Sequence, residues 1–396
     1  MVFSKVGIDT ETGGDVCLPQ ASRIQGLSVI GVSGTGKSTL VSNLLVQDIE
    51  QGRGGCLIDP HGDVTKSVLS RISPGRIEDV IYLDSTDAEY PFGLNLLECK
   101  DITDELEVQY TLEQVRHIFE KVYGISSDTP RMYDYLTNYL YTLIVNPGCT
   151  LLDIRPLLTN EVYREKLLEN VSNNAVLNFW NRYNNLKEQA QHDENNAILN
   201  RLNDFEHAPL RNIIGQSRST INLQEIMAQG KILLVKLDAH RKSATALIGS
   251  ILVAKMLNAG YARAEGKRRP FPLYIDECPN IVTKDFATLI TEARKFGIAV
   301  TVAYRSHGQL DAINKEATLS MANLVVFRVL RQDAEELAPV FDISPLDANL
   351  SPDELQDQTP IEDRKRRIGE MLANLSDYTA RGKFIMREED NERQDS

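Results

Sequence analysis

The chain has 396 residues, of which 42% are hydrophobic, and its 56 acidic and 43 basic residues give a formal net charge of −13. This length exceeds one ordinary domain, so we expect a globular protein with one core and one elaboration. The acidic balance excludes a surface that coats nucleic acid through bulk charge, so any DNA contact must be local, for example inside a ring.

Cysteine, histidine and hydropathy patterns exclude several further classes of protein. The five cysteines show no C-x-x-C spacing, and the six histidines form no H-x₃₋₅-H pair. We therefore predict neither disulfides nor a structural zinc site. No apolar run approaches the ~18–20 residues that span a bilayer, and the N-terminus lacks the basic-then-apolar pattern of a signal peptide. We expect a cytoplasmic protein without a membrane span.

The first hundred residues alternate between strand and helix patterns. Residues 1–25 are predicted to form a short N-terminal hairpin, and residues 26–100 the first part of a core. Apolar runs at 27–30, 54–59 and 79–84 are separated by helical patterns. This alternation is typical of a parallel sheet, so the predicted fold class is α/β.

The strand signal then disappears and later returns. Apolar residues recur at helical spacing through residues 101–216, which predicts an all-helical insertion domain. The second part of the core is predicted at 217–387, and a charged, solvated tail at 388–396. Four further apolar runs are predicted strands of this second part, at 231–238, 271–277, 298–304 and 324–330.

The stretch between the first apolar run and the next helix carries a glycine-rich pattern. The pattern G-x-x-x-x-G-K-[ST] falls on Gly31, Gly36, Lys37 and Ser38. Glycines let backbone N–H groups turn around a phosphate, the lysine bridges the β- and γ-phosphates, and the serine ligates Mg²⁺. We therefore predict that ATP binds here. The predicted nucleotide-binding residues are Gly31, Ser33, Gly34, Thr35, Gly36, Lys37, Ser38 and Thr39.

Two acids end a later apolar run and predict the other half of the site. In Tyr274-Ile-Asp-Glu277, Asp276 is predicted to hold Mg²⁺ together with Ser38, and Glu277 to polarise the attacking water. A solvated pair of acids at a strand end is the alternative interpretation. The co-occurrence of this pair with a phosphate loop favours the catalytic one, and Asp63 is the next candidate for the base.

These motifs and others give the chain a resemblance to the HerA/FtsK group of ring-forming P-loop ATPases, and within it to the TraG/TraD-type coupling ATPases of conjugation and type IV secretion. The resemblance spans nearly the whole chain. It rests on residues 31–38, Leu57-Ile-Asp-Pro-His-Gly-Asp63, Val80-Ile-Tyr-Leu-Asp84 with Gly93-Leu-Asn95, Tyr274-Ile-Asp-Glu277, Thr291-Glu-Ala-Arg-Lys-Phe-Gly297, and Phe327-Arg-Val329 with Asp333-Ala-Glu335.

The resemblance implies a RecA-like P-loop NTPase core with an inserted all-α domain, assembled as a homo-oligomeric ring, a hexamer, that moves DNA through its pore. It also implies that an arginine reaches the neighbouring subunit's site, and the matching position is Arg294. The alternative role for Arg294 is a helix-end cation favoured by the helix dipole.

The chain departs from this family at two places. Where the family has a glutamine that senses the γ-phosphate, this sequence has Arg305. Arginine can contact a phosphate but cannot accept a hydrogen bond from water, so the sensing chemistry must differ. Transmembrane segments before the phosphate loop, which membrane-embedded coupling proteins carry, are not found. With Lys37, Glu277 and Arg294, Arg305 completes the set of predicted catalytic residues.

The sequence is compatible with three functions. The first is a DNA-translocating ATPase of conjugation, which partners would recruit to a membrane and which would act with a relaxase or a secretion channel. The second is a HerA-like ATPase partnered with a nuclease or defence effector, and the third a nucleotide-stabilised assembly module. Lys236, Arg241 and Lys242 are the candidates for sequence-independent DNA contacts in the pore.

Overall fold

An eight-stranded sheet forms the centre of the computed structural model, which describes residues 3–263, 268–341 and 360–385. The predicted tail at 388–396 lies outside the described residues. Ten strands occur in the described part of the chain: β1 (Phe3–Ile8), β2 (Asp15–Pro19), β3 (Leu27–Ile30), β4 (Gly55–Asp59), β5 (Val80–Asp84), β6 (Ile232–Lys236), β7 (Phe271–Ile275), β8 (Ile298–Tyr304), β9 (Asn323–Val326) and β10 (Arg381–Lys383).

The sheet has the order β10-β9-β3-β8-β7-β4-β6-β5 and is parallel except for the edge pair β9 and β10. Every residue of β3, β4, β7, β8 and β9 is buried. Strands buried on both faces read as continuous apolar runs, which is why the sequence shows them clearly. The predicted α/β class with a mainly parallel sheet is confirmed.

Helices cover the sheet and build the long segment between β5 and β6. In the described residues they are α1 (Gln20–Arg23), α2 (Lys37–Glu50), α3 (Asp63–Leu69), α4 (Glu105–Tyr123), α5 (Pro130–Ile144), α6 (Ile154–Thr159), α7 (Glu161–Leu168), α8 (Asn174–Asn184), α9 (Glu188–Leu199), α10 (Leu210–Ile214), α11 (Leu223–Gln229), α12 (Lys242–Tyr261), α13 (Lys284–Glu292), α14 (Ala312–Leu319), α15 (Arg331–Phe341) and α16 (Ile361–Ala373).

The helical segment from α4 to α10 has an aromatic core of its own. Tyr139 stacks on Trp180, whose indole N–H donates a 2.8 Å hydrogen bond to Thr142 Oγ1 inside the helical layer. Gln114 on α4 and Asn258 on α12 exchange two amide hydrogen bonds of 2.7 and 2.8 Å, which tie this segment to the core. The inserted all-α element of the predicted fold is therefore present, while the predicted domain boundaries stay a prediction.

β1 and β2 pair antiparallel as an N-terminal hairpin, and a buried ion pair between α1 and α2 holds this hairpin against the core. Arg23 is 2% exposed and Asp48 is fully buried, and two hydrogen bonds of 2.6 and 2.9 Å connect them. Arg23 also donates to Ser4 on β1, and the hydroxyl of Tyr274 contacts both charged groups. Because a buried charge without a partner is strongly destabilising, this network fixes the hairpin against α2 and β7.

Three features of the fold differ from the sequence expectations. β9 ends at Val326, earlier than the predicted run to residue 330, and β10 was not predicted because its three residues are exposed and carry no apolar pattern. The expectation on apolar length was wrong for α12. This helix of 20 residues contains an 18-residue window with a mean hydropathy of 1.3, so it could cross a membrane by length and composition alone, but 72% of that window is buried inside the protein.

Candidate nucleotide site

The sheet order brings the predicted site residues to one edge. β3 and β7 are separated by β8 alone, and all three strands run parallel. The phosphate loop follows β3, the Asp276-Glu277 pair follows β7, and Arg305 follows β8. In parallel sheets, ligands bind outside the carboxyl ends of the strands, so this edge is where a nucleotide is expected.

The phosphate loop depends on glycines at two close approaches. Gly36 has a φ of +114°, and a Cβ there would lie 3.0 Å from Cδ1 of Tyr378 and 3.1 Å from Cε1 of Phe327. A Cβ on Gly31 would lie 2.7 Å from the Cβ of Phe327. Thr35 is buried and donates a 2.8 Å hydrogen bond to the carbonyl of Val32. Gly31 and Thr35 therefore support the conformation of the loop through these internal contacts.

A cavity of about 330 Å³ lies between this loop and the strand ends. Gly31 and Thr35 are not among the residues that line it, whereas the other six predicted nucleotide-binding residues are. The cavity is lined by Ser33, Gly34, Gly36, Lys37, Ser38, Thr39, His61, Asp63, Asp276, Glu277, Arg305 and Tyr378.

The side chain of Lys37 points its ammonium group at the loop. The residue is 5% exposed, and Nζ donates a 3.0 Å hydrogen bond to the carbonyl of Val32. Burial lowers the pKa of Lys37, while the nearby Glu277 and Asp276 act in the opposite direction. The ammonium group therefore lies in a site where a phosphate is a stronger partner than a backbone carbonyl.

Ser38 and Asp276 form the candidate magnesium site. Ser38 Oγ donates a 3.3 Å hydrogen bond to Asp276 Oδ2, and Asp276 is 4% exposed. Burial raises the pKa of Asp276 to about 6, and the charges of Asp59 and Glu277 add to the shift. Two oxygen donors beside a phosphate cavity fit Mg²⁺, which is bound through one or two carboxylates and substrate phosphates.

Asp59, at the end of β4, has its lone pairs occupied by backbone donors. Its carboxylate accepts hydrogen bonds of 3.0, 2.9 and 2.8 Å from the N–H groups of His61, Gly62 and Thr65. It therefore orders the turn before α3 that carries His61 and Asp63 into the cavity.

Glu277 combines an unusual backbone conformation with a side-chain ion pair. Its φ is +47°, in the left-handed region that costs a non-glycine residue roughly 1–3 kcal/mol. Arg305 Nε lies 2.7 Å from Glu277 Oε1, and the N–H of Glu277 donates to Asp276 Oδ1 at 3.1 Å. Backbone strain of this kind clusters at functional sites. The structure thus joins the predicted base and the unusual arginine into one pair.

Two cavity residues were not found by sequence reasoning. His61 follows β4 in the Asp-Pro-His-Gly-Asp stretch. Its position just after a buried strand could have indicated that it lies at the edge of the sheet where the site forms. Tyr378 lies in the turn between α16 and β10 and carries no sequence signal, because nothing in its exposed, polar surroundings predicts a contact with the loop.

Arg294 is not brought to this cavity. It is exposed on the 3₁₀ turn Ala293–Phe296, which precedes β8, whereas the site follows the other end of β8. Seven residues of strand separate these ends by roughly 20 Å. Within one chain, Arg294 therefore cannot complete the site.

The candidates for DNA contacts lie at or just after the carboxyl end of β6, at the same edge of the sheet as the cavity. Lys236 is paired with Asp84 at 2.9 Å, and Arg241 donates to the carbonyl of Ala208 at 2.8 Å. Lys242 is exposed and lines a neighbouring cavity of about 450 Å³, which shares Glu277 and Arg305 with the candidate nucleotide site.

Comparisons with solved structures identify the fold. Neither a family model nor a curated protein matches the chain. Over 97% of this chain and 87% of its own, an unbound form of the bacterial conjugative coupling protein TrwBdeltaN70 aligns with a TM-score of 0.64 and 18% identity. The plasmid coupling protein TrwB in complex with ADPNP aligns at 0.66 and 18%, covering 98% and 92%.

A second kind of protein shares this architecture. VirB4 of Thermoanaerobacter pseudethanolicus aligns with a TM-score of 0.61 and 14% identity, covering 98% of this chain and 97% of its own. These likenesses extend over the sheet and the helical segment alike. The chain therefore has the RecA-like P-loop fold of the TrwB-type coupling proteins, which confirms the fold that the sequence resemblance implies.

Proposed function

We propose that the chain is a Mg²⁺-dependent ATPase that works as a ring-forming DNA translocase in conjugation or type IV secretion. The observation that carries the enzymatic part is the single cavity that collects Lys37, Ser38, Asp276 and Glu277. TrwB, which shares the fold, has been solved with ADP and Mg²⁺ and with analogues of ATP and GTP. These ligands support the same site for a nucleotide here.

Phosphate binding follows from the loop and from α2. The first N–H groups of α2 have no partners within the helix, and the helix dipole favours an anion at this end. Lys37 would exchange the carbonyl of Val32 for the β- and γ-phosphates, a stronger, charge-assisted contact. Ser38 and Asp276 would hold Mg²⁺, which when bound neutralises charge on the phosphates.

Arg305 and Glu277 would act one after the other during hydrolysis. Without nucleotide, Arg305 neutralises Glu277 through the 2.7 Å contact, and a carboxylate paired in this way is a weak base. A γ-phosphate carries more negative charge than a carboxylate, so it competes for the guanidinium. Once released, Glu277 accepts a proton from the attacking water, while Arg305 stabilises charge on the transferred group.

Two parts of the proposal go beyond ATP hydrolysis, namely assembly into a ring and translocation of DNA. Their support is the resemblance to coupling ATPases, together with the exposed position of Arg294 at the far end of β8, away from the site of its own chain. A HerA-like ATPase with a nuclease partner is compatible with the same site. The assembly-module alternative is favoured by one observation, the Arg305–Glu277 pair, which would keep hydrolysis slow.

The test of the enzymatic part is the release of phosphate from ATP with and without Mg²⁺. We expect wild-type hydrolysis to require Mg²⁺ and Lys37→Ala to lower it about 10²-fold or more, because the transferred phosphoryl group loses a fixed cation. Lys66→Ala, on the exposed side of α3, is the matched control and should leave turnover unchanged. Wild-type turnover in Lys37→Ala would contradict the assignment.

A further inference from the structure

Tyr378 combines exposure with a strained backbone. Its side chain is exposed, with 72% of the residue accessible, so burial of the ring does not hold it in place. Its φ of +60° lies in the left-handed region, which L-residues with large side chains rarely adopt. A residue in this conformation persists when surrounding contacts impose it, and such positions cluster at ligand sites.

The turn that carries Tyr378 is fixed to the phosphate loop. The N–H of Tyr378 donates a 2.9 Å hydrogen bond to the carbonyl of Thr35, inside the loop. Arg328 donates to the carbonyl of Leu375 at 3.2 Å and to the carboxylate of Asp377 at 2.7 Å. These contacts fix the backbone of the turn beside the loop, so that the residue is held next to the cavity.

The ring of Tyr378 covers the loop at its last glycine. Cδ1 lies 3.0 Å from where a Cβ on Gly36 would be, and the ring lines the same cavity as Lys37 and Thr39. Apart from the imidazole of His61, the other lining side chains are small, hydroxylic or charged. They suit phosphates and a metal ion, so Tyr378 offers the one phenyl-type surface among the described lining residues.

We propose that Tyr378 is the contact for the nucleobase, which it binds by stacking. This inference rests on the nucleotide binding proposed above and names the group that holds the other end of that ligand. An exposed tyrosine ring presents a flat apolar face at a small entropic cost, since its two side-chain torsions are few. Every base has a face that can stack, so the contact accepts adenine and guanine alike.

The experiment compares ligands that have a base with one that does not. Dissociation constants for ATP, GTP and inorganic tripolyphosphate, each with Mg²⁺, would be measured by titration calorimetry on the full chain. Tyr378→Asn removes the ring but keeps a residue that tolerates a left-handed backbone. Tyr378→Phe keeps the ring and removes the hydroxyl, and Tyr90→Asn, at another exposed tyrosine, is the surface control.

We expect Tyr378→Asn to weaken ATP and GTP about 5- to 100-fold, the range of a lost aromatic stack, and to change tripolyphosphate less than about twofold. Tyr378→Phe and Tyr90→Asn should bind all three ligands like the wild type. Unchanged ATP affinity in Tyr378→Asn, or an equal loss for tripolyphosphate, would overturn the stacking role while leaving the ATPase proposal intact. Failure of wild type to bind any of the three would instead overturn the proposed function.

Discussion

The guanidinium of Arg305 and the carboxylate of Glu277 form a 2.7 Å ion pair at the carboxyl ends of two neighbouring strands. The side chain of Glu277 is 11% exposed, and that of Arg305 is 45% exposed. The arginine is therefore the partner with room to move, while the glutamate is fixed by its surroundings. This asymmetry is what a nucleotide-dependent release of the base requires.

Replacing Arg305 tests whether the pair serves catalysis. Arg305→Ala should lower kcat for ATP by about 10²–10³, because the transition state loses a charged donor, and should leave ADP affinity unchanged, since ADP has no γ-phosphate. Steady-state hydrolysis and ADP titration measure these effects, with Arg269→Ala on the exposed surface as the control. Equal losses in ADP and ATP binding would show a structural role instead.

Glu277→Gln separates binding from hydrolysis. The amide oxygen of glutamine can still accept from Arg305, and Ser38 and Asp276 keep the metal site, so ATP binding should persist. Hydrolysis should fall about 10²–10⁴-fold because the water loses its base. Single-turnover measurements with saturating enzyme report this step. Unchanged turnover would assign the base to another residue, with Asp63, which lines the same cavity, next to be replaced.

The sequence predicts the local motifs of the site but not its long-range contacts. The phosphate loop and the Asp276-Glu277 pair were readable because each is a local pattern attached to a buried strand. The Arg305–Glu277 pair and the Tyr378–Thr35 contact were not, since they join residues 28 and 343 positions apart through the strand order. The sheet itself was readable from fully buried strands, whereas the exposed β10 had no pattern to detect.

Asp276 predicts a pH-dependent stability of the nucleotide-free protein. Its pKa in the folded state, about 6, lies above the usual 3.8, so the folded state binds more protons between these values. The contribution of Asp276 to the free energy of unfolding is therefore lost as the pH rises through about 6. Above that pH, the ionised carboxylate lowers the free energy of unfolding by a constant amount. In EDTA at pH 8, Asp276→Asn should be more stable than wild type by on the order of 1–3 kcal/mol.

Urea unfolding across pH 4–8 measures this difference, which should shrink toward the acid end as the wild-type carboxyl becomes protonated. The same variant should lose Mg²⁺-dependent hydrolysis, because an amide is a poorer ligand for this cation. Lower stability of Asp276→Asn at pH 8 would show that Asp276 is stabilised by its hydrogen bonds rather than strained by burial.

Arg294 predicts complementation between two inactive variants. Lys37→Ala lacks the lysine at its own site, and Arg294→Ala would lack the arginine that it supplies to a neighbour, so each should be inactive alone. In an equal mixture, a subunit with an intact loop can lie beside one with an intact arginine, which should restore about a quarter of wild-type activity. Hydrolysis by the mixture no faster than the average of the two variants measured alone would contradict a shared site.

Stimulation of ATP hydrolysis by DNA tests the translocase hypothesis. Arg241 and Lys242 are exposed at the start of α12, and the cavity that Lys242 lines shares Glu277 and Arg305 with the nucleotide site. A DNA phosphate bound there would lie close to the pair that we propose controls hydrolysis. Because the overall charge is −13, such contacts must be few, so binding should be salt-sensitive and independent of sequence.

The measurement is the ATPase rate with single- and double-stranded DNA over a salt series, on wild type and on the Arg241→Ala, Lys242→Ala double variant. We expect DNA to raise the wild-type rate at low salt and the double variant to lose this increase while keeping its basal rate. Lys166→Ala, at an exposed position of α7, is the matched control and should keep the increase. A rate that no nucleic acid changes, together with no DNA binding at low salt, would exclude the translocase and favour the assembly module.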